Sequence, residues 1–224
     1  MVVKDNNENI IDAFIEFISD KTFPCIGAKA ALAKDQLQCM VADNMACPAH
    51  DKCILDYLYS FIDSYRLTGD NFHSAVILFS GPQNINEPNF EYLFWQRLQA
   101  ISDMDADNYG YDKRVSADPS SPDFSFSLKE EAFYIIGMHP ASSRASRRFT
   151  YPALIFNPHA QFEEMKETNK YEMMKKAVRK RDIVYSDSVN PMLDDHGMSP
   201  ETMQYSGKNY KGPWECPLKI KHAG

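Results

Sequence analysis

Two histidines stand beside prolines at the ends of apolar runs, in Gly137-Met138-His139-Pro140 and in Phe156-Asn157-Pro158-His159, with Arg144, Arg147 and Arg148 between them. A histidine at a strand end can lie at a cavity rim, where its imidazole can ligate a metal or move a proton. A lone one is ordinarily just a hydrogen-bonded residue, but two joined by an arginine-rich loop point toward a site. In a chain with 31 acidic and 24 basic residues, a tight arginine group suggests a local anion such as a carboxylate, a phosphate or a cofactor propionate. A haem would use this combination directly, with one imidazole on the iron, guanidiniums on the propionates, and Met and aromatic side chains over the macrocycle. The rival chemistry is a metal-free site for an anionic substrate, with histidine as acid or base. A third option puts a thiolate on iron from Cys216-Pro217, against the plain reading of Cys-Pro as a bend.

Other features are less pointed. Cys47, His50 and Cys53 recur every three residues and would share a helix face, but a helix start after Pro48 explains them as well and the spacing is not that of a zinc finger. Five cysteines without a secretory pattern make a disulfide framework improbable. The formal charge of −7 argues against a general nucleic-acid binder. The basic run Lys175 to Arg181 reads as a solvated helix face. No Gly-rich phosphate loop, dinucleotide fingerprint or nucleophile elbow is present. The apolar runs fall short of a bilayer span and no signal-peptide pattern opens the sequence, so no membrane partner and a cytoplasmic location are expected.

The elements that would carry these residues follow from hydrophobic spacing. Helices are expected over 7–20, after Pro48 with a stripe from Ile54 to Tyr65, after Pro88 through Ile101, and over 161–182 with a break near Thr168-Asn169. Phe23 to Ala31 reads as a loop turning at Gly27 and feeding a short helix. Strands are expected at 74–80, at 124–128 with one face buried, at 131–138 and at 152–156. Residues 102–122 read as a long surface loop, and the tail from Val189 as irregular. The fold class is therefore α/β or α+β, a single domain over 1–224 with a small sheet surrounded by helices.

Longer motifs add to this. Phe23-Pro24-Cys25-Ile26-Gly27-Ala28-Lys29-Ala30-Ala31, Gly137-Met138-His139-Pro140-Ala141-Ser142-Ser143-Arg144 with Arg147-Arg148, and Phe156-Asn157-Pro158-His159-Ala160-Gln161-Phe162-Glu163 occur in order. Arg179-Lys180-Arg181-Asp182, Asn190-Pro191-Met192-Leu193, Gln204-Tyr205-Ser206-Gly207-Lys208 and Trp214-Glu215-Cys216-Pro217-Leu218 follow. From Phe23 to Leu218 the chain resembles the YqcI/YcgG family, which includes haem-dependent enzymes that hydroxylate a guanidine nitrogen in natural-product pathways.

The resemblance implies a haem b cofactor, O₂ or peroxide as oxidant, an electron donor and a small guanidino substrate resembling arginine. It implies His159 or His139 as the axial ligand, Arg144, Arg147 and Arg148 as propionate partners, and Cys25 in a loop closing over the pocket. Lys208 and Leu218 depart from the Arg and Phe common at those positions in the family. Glu163, close to His159, is the nearest carboxylate for a cationic substrate, set against its plain reading as a charge suited to a helix N-terminus. A haem-binding or haem-sensing protein without oxygenase activity is the alternative, and a metal-free hydrolase or transferase using His139 and Arg144 a third. The 11 Met, 14 Phe and 12 Tyr on a chain with 9 Gly are mostly core filling, and the walls of any flat apolar pocket are expected from Phe23, Met138, Phe156, Phe162 and Trp214.

Overall fold

The computed structural model describes residues 6–69, 72–167, 170–186, 200–210 and 212–222. Helix α1 (Asn6–Ser19) buries Ile10, Phe14 and Ile18, one residue per turn on one side. Helix α2 (Ile26–Ala33) begins at Ile26, with Cys25 as its N-cap, so Gly27 lies inside the first turn and not at a loop corner. Strand β1 (Leu37–Asn44) leads through a 3₁₀ turn at Pro48–His50 into α3 (Asp51–Thr68), whose stripe from Ile54 to Ile62 is buried. Gly69 ends α3 in the left-handed region and donates its N–H to Tyr65. Strand β2 (Ser74–Gly81) is followed by α4 (Glu87–Ala106), capped by the Asn86 side chain. Then come β3 (Phe126–Leu128), β4 (Glu131–Met138), a 3₁₀ turn at Ala145–Arg147, β5 (Ala153–Pro158), α5 (Ala160–Glu167), α6 (Lys170–Ser186) and the short α7 (Thr202–Tyr205).

The five strands form one mixed sheet in the order β1-β2-β5-β4-β3, parallel only between β1 and β2. Side chains alternate across a strand, and here the alternation sorts two cores. Ala75, Ile77, Phe79, Phe133, Ile135, Leu154 and Phe156 face α3 and α4. Val76, Leu78, Met138, Ala153 and Ile155 face the other way and pack with α1. The fold is thus an α/β arrangement with helices on both faces of a small sheet.

Three expectations change. β1 is an additional strand, half-buried at a sheet edge, so its residues lack the alternation that announces one. The segment 102–122 is not a surface loop: α4 runs on to Ala106, and Tyr111 and Asp112 are buried. Asp112 accepts the Ala132 N–H and the Arg114 guanidinium, and the Tyr111 hydroxyl donates to the Ser125 carbonyl. β3 buries both of its faces: Ser127 accepts the Asp112 N–H, and the neighbouring Ser125 donates to Glu201. The expected helix break near Thr168-Asn169 and the motif Asn190-Pro191-Met192-Leu193 lie outside the described residues.

Candidate functional site

The sheet face opposite α3 and α4 does not pack solidly. Beyond α1 it floors an apolar cavity of about 310 Å³. Val76, Tyr134, Ile136, Met138 and Ile155 form the floor; Phe23, Pro24 and Cys25 form one rim; Phe162 and Met165 of α5 and Met174, Lys175 and Val178 of α6 close it. The polar floor residues are tied to one another. Ser74 donates to the Asn157 side chain, Asn157 donates to the Tyr134 carbonyl, and the Tyr134 hydroxyl donates to Gln204 at 2.6 Å.

The two motif histidines do not converge. His159 follows β5 on the cavity face, with its side chain 12% exposed and its backbone N–H donated to the Ala132 carbonyl. Its Nε2 lies 3.6 Å from Glu201 Oε1 and 3.8 Å from Glu163 Oε1. His139 follows Met138 by one residue and so points to the other face, where it stacks on Phe90 with ring centroids 4.2 Å apart. It is wholly buried, neither ring nitrogen has a hydrogen-bond partner among the described residues, and burial pushes its pKa down to about 4. The nearest carboxylate oxygen, Glu87 Oε1, is 4.0 Å from Nε2.

The arginines also divide. Arg144 and Arg147 line the cavity. Arg144 pairs with Asp182 of α6, both largely buried. Arg147 donates to the carbonyls of Tyr205 at 2.9 Å and Gly137 at 3.4 Å, and its burial lowers its pKa. Gly207, at φ +81°, packs against it so closely that a Cβ there would fall 2.7 Å from Arg147 Cδ. Arg148 turns outward and binds the Ser142 carbonyl. Cys25 lines the cavity with its thiol accepting the Ala28 N–H, and burial raises its pKa. Cys216 packs against the core on the α3–α4 side, its thiol pushed up to about 11 by burial. Of the expected wall residues Phe23, Met138 and Phe162 line the cavity, while Phe156 and Trp214 belong to the opposite face.

Glu163 is not part of the lining of this cavity; it is half-exposed and paired with Lys166. The carboxylates that do line it are Glu201 and Asp182. Glu201 is three residues before the Gln204-Tyr205-Ser206-Gly207 motif, and only the α7 turn brings it in; Asp182 ends the Arg179–Asp182 motif. The basic run on α6 is not simply solvated, since Lys175 lines the cavity and Arg181 donates to the carbonyls of Lys21 and Phe23. At the other candidate cluster, Cys47 and Cys53 are exposed and His50 Nδ1 accepts the Asp43 N–H at 3.0 Å. Among the described residues no three His, Cys, Asp or Glu side chains gather as a metal site, and no helix is long and apolar enough to cross a membrane.

Comparison with known proteins is consistent with these motifs. The family model described as YqcI/YcgG family matches residues 14–219. The uncharacterized protein YqcI of Bacillus subtilis (strain 168) is 29% identical over 220 residues, covering 92% of this chain and 85% of the relative. No solved structure matches.

Proposed function

We propose, from the premise that this chain belongs to the YqcI/YcgG family, that its cavity holds a haem through His159 and serves the hydroxylation of a guanidine or amine nitrogen on a small cationic substrate. The observation that carries the reading is that His159 is the one imidazole among the described residues lining a largely apolar cavity that Arg144 and Arg147 also line. That donor set suits a haem in kind: a neutral nitrogen ligand, guanidiniums for propionates, and Met and Phe side chains for the macrocycle. The cavity is at the small end of the range for ligand pockets, so a macrocycle requires α5 and α6 to stand further out. Polar clasps hold α6, Arg144 to Asp182 and Arg181 to the carbonyls of Lys21 and Phe23, while α5 is held by Gln161, which accepts the Phe72 N–H and donates to the His73 carbonyl, and by Phe162 against Tyr134 of β4.

Bound there, the haem iron would supply the power to insert oxygen from O₂ or peroxide into an N–H bond, with reducing equivalents from a donor where O₂ is used. His159 would hold it from the β5 end. Arg144 and Arg147 would pair with its propionates, Arg147 using the N–H groups that Tyr205 and Gly137 leave over. The apolar floor would keep water out. The carboxylates that line the cavity for a substrate cation are Glu201 and Asp182, the latter already paired with Arg144; Glu163 is not part of that lining.

The test is the absorption spectrum of the protein from haem-supplemented cells, followed by turnover of arginine and related guanidines with a reductant and O₂, or with peroxide. A Soret band at one haem per chain with N-hydroxylated product is the expected result. Absence of the band at stoichiometric haem overturns the reading, and a band without turnover of any guanidine leaves haem carriage or sensing.

A further inference from the structure

Arg147 carries a charge that the described residues do not meet. It lines the apolar cavity at 8% exposure, yet its polar neighbours are neutral. Nη1 donates to the Tyr205 and Gly137 carbonyls, and the third neighbour is the Tyr134 hydroxyl. Among the described residues it makes no ion pair with a carboxylate. The other charged lining groups are engaged elsewhere. Arg144 is paired with Asp182, whose second oxygen accepts from Ser186, and Lys175 is paired with Glu172. Glu201 accepts from Ser125 and the Tyr205 hydroxyl. Cys25 adds no negative charge, because burial raises the pKa of its thiol.

An arginine cannot shed its proton, and a buried cation without a counter-ion is costly. The backbone nevertheless fixes it in place, through the 3₁₀ turn at Ala145–Arg147, the two carbonyls and the close packing of Gly207. Beyond the Tyr134 hydroxyl, Nε and Nη2 meet no acceptor among the described residues, and neither atom is fully enclosed. That edge of a guanidinium is the one a carboxylate engages with two parallel hydrogen bonds.

The charge balance selects the occupant. One unmatched guanidinium calls for one negative charge, and a floor of Val76, Ile136, Met138 and Ile155 offers nothing to a second, which disfavours a phosphate dianion. A cavity of about 310 Å³ suits a small molecule without movement of α5 or α6. We infer that Arg147 is an anion receptor and that the cavity in this form takes a small apolar monocarboxylic acid, its carboxylate on the Nε–Nη2 edge and its body on the floor. The inference goes beyond the haem reading and does not depend on it. A haem propionate offers the same carboxylate, so the test separates the two sources.

The experiment is isothermal titration calorimetry of the full chain without haem, using 3-phenylpropanoate and hexanoate, with 3-phenylpropanamide as the uncharged match. The acids should bind, and the amide at least about tenfold more weakly. Added NaCl should change the acids' affinity little, because a buried pair is poorly screened. Arg147→Lys keeps the charge and loses the two-pronged edge, so it should weaken both acids about tenfold. The acid–amide comparison in wild type stands by itself if that variant fails to fold. Equal binding of acid and amide, no binding of either acid, or acid binding that Arg147→Lys leaves intact overturns the inference. Displacement of bound acid by haem, and not by haem dimethyl ester, assigns the receptor to a propionate; failure of both to displace it assigns the receptor to a free acid. A missing Soret band with acid binding intact overturns the haem reading alone.

Discussion

His139 and His159 close adjacent antiparallel strands, yet they lie at opposite ends of the pair and on opposite faces of the sheet. The register sets Met138 against Ala153 and Phe133 against Pro158, so His159 is level with Ala132 and His139 is seven residues further along. At strand rise that is about 24 Å. One bound group cannot be shared by both. His159→Ala should therefore abolish or displace the Soret band of the haem-loaded protein, whereas His139→Ala and Cys216→Ser should leave its position unchanged. A band lost in His139→Ala with a normal near-UV circular dichroism spectrum would move the site to the α4 face.

On that face His139 is a stacked core ring with two nitrogens that gain no hydrogen bond from the described residues. His139→Phe keeps the stack on Phe90 and removes the unpaired polar atoms, so stability at neutral pH should be unchanged or higher by about 1 kcal/mol. The pH dependence has a definite sign. The unfolded chain takes up the proton near 6.5 and the folded one only near 4. Across that window the unfolded state binds more protons, so stability falls as the pH drops, by up to about 1.4 kcal/mol per pH unit. Urea midpoints at several pH values should show this slope component in wild type and lack it in His139→Phe.

Much of this geometry is legible from alternation alone. Met138 and His139 are neighbours on a strand, so a cavity lined by Met138 cannot include His139, and Leu154, Phe156 and the odd positions of β4 share one core for the same reason. The four longer strands' companions α1, α3 and α4 follow from their stripes. What periodicity does not carry is β1, whose edge position leaves it half-exposed, and the burial of Asp112, Ser125 and Ser127, which depends on partners distant in sequence. Glu201 is hidden for that reason too. A carboxylate before a four-residue helix carries no local signal, and only the α7 turn brings it to His159.

The Arg144–Asp182 pair ties the loop after β4 to α6 and is largely buried. Removing one member leaves a charge out of water without its partner, at about 3–5 kcal/mol. Arg144→Ala should thus be strongly destabilising, and the double variant Arg144→Ala/Asp182→Ala markedly less so than the sum of the two single changes. Limited proteolysis within α6 should accelerate in the single variant before global unfolding. Additive single effects in urea melts would mean that the pair is not the clasp.

Gly207 and Gly69 both sit at positive φ, but in different surroundings. Among the described residues nothing lies within 4 Å of a Cβ at Gly69, whereas at Gly207 it would meet Arg147 Cδ at 2.7 Å and Nη1 at 3.1 Å. Gly69→Ala should therefore cost only the left-handed backbone penalty, about 1 kcal/mol, and leave ligand binding intact. Gly207→Ala adds displacement of a buried guanidinium that holds the Tyr205 carbonyl, so its cost should reach about 2–4 kcal/mol. Because Arg147 lines the cavity, the same variant should weaken haem retention, read as faster transfer to a haem-free acceptor protein. Equal costs for the two substitutions, or unaltered retention in Gly207→Ala, would separate Arg147 from the site.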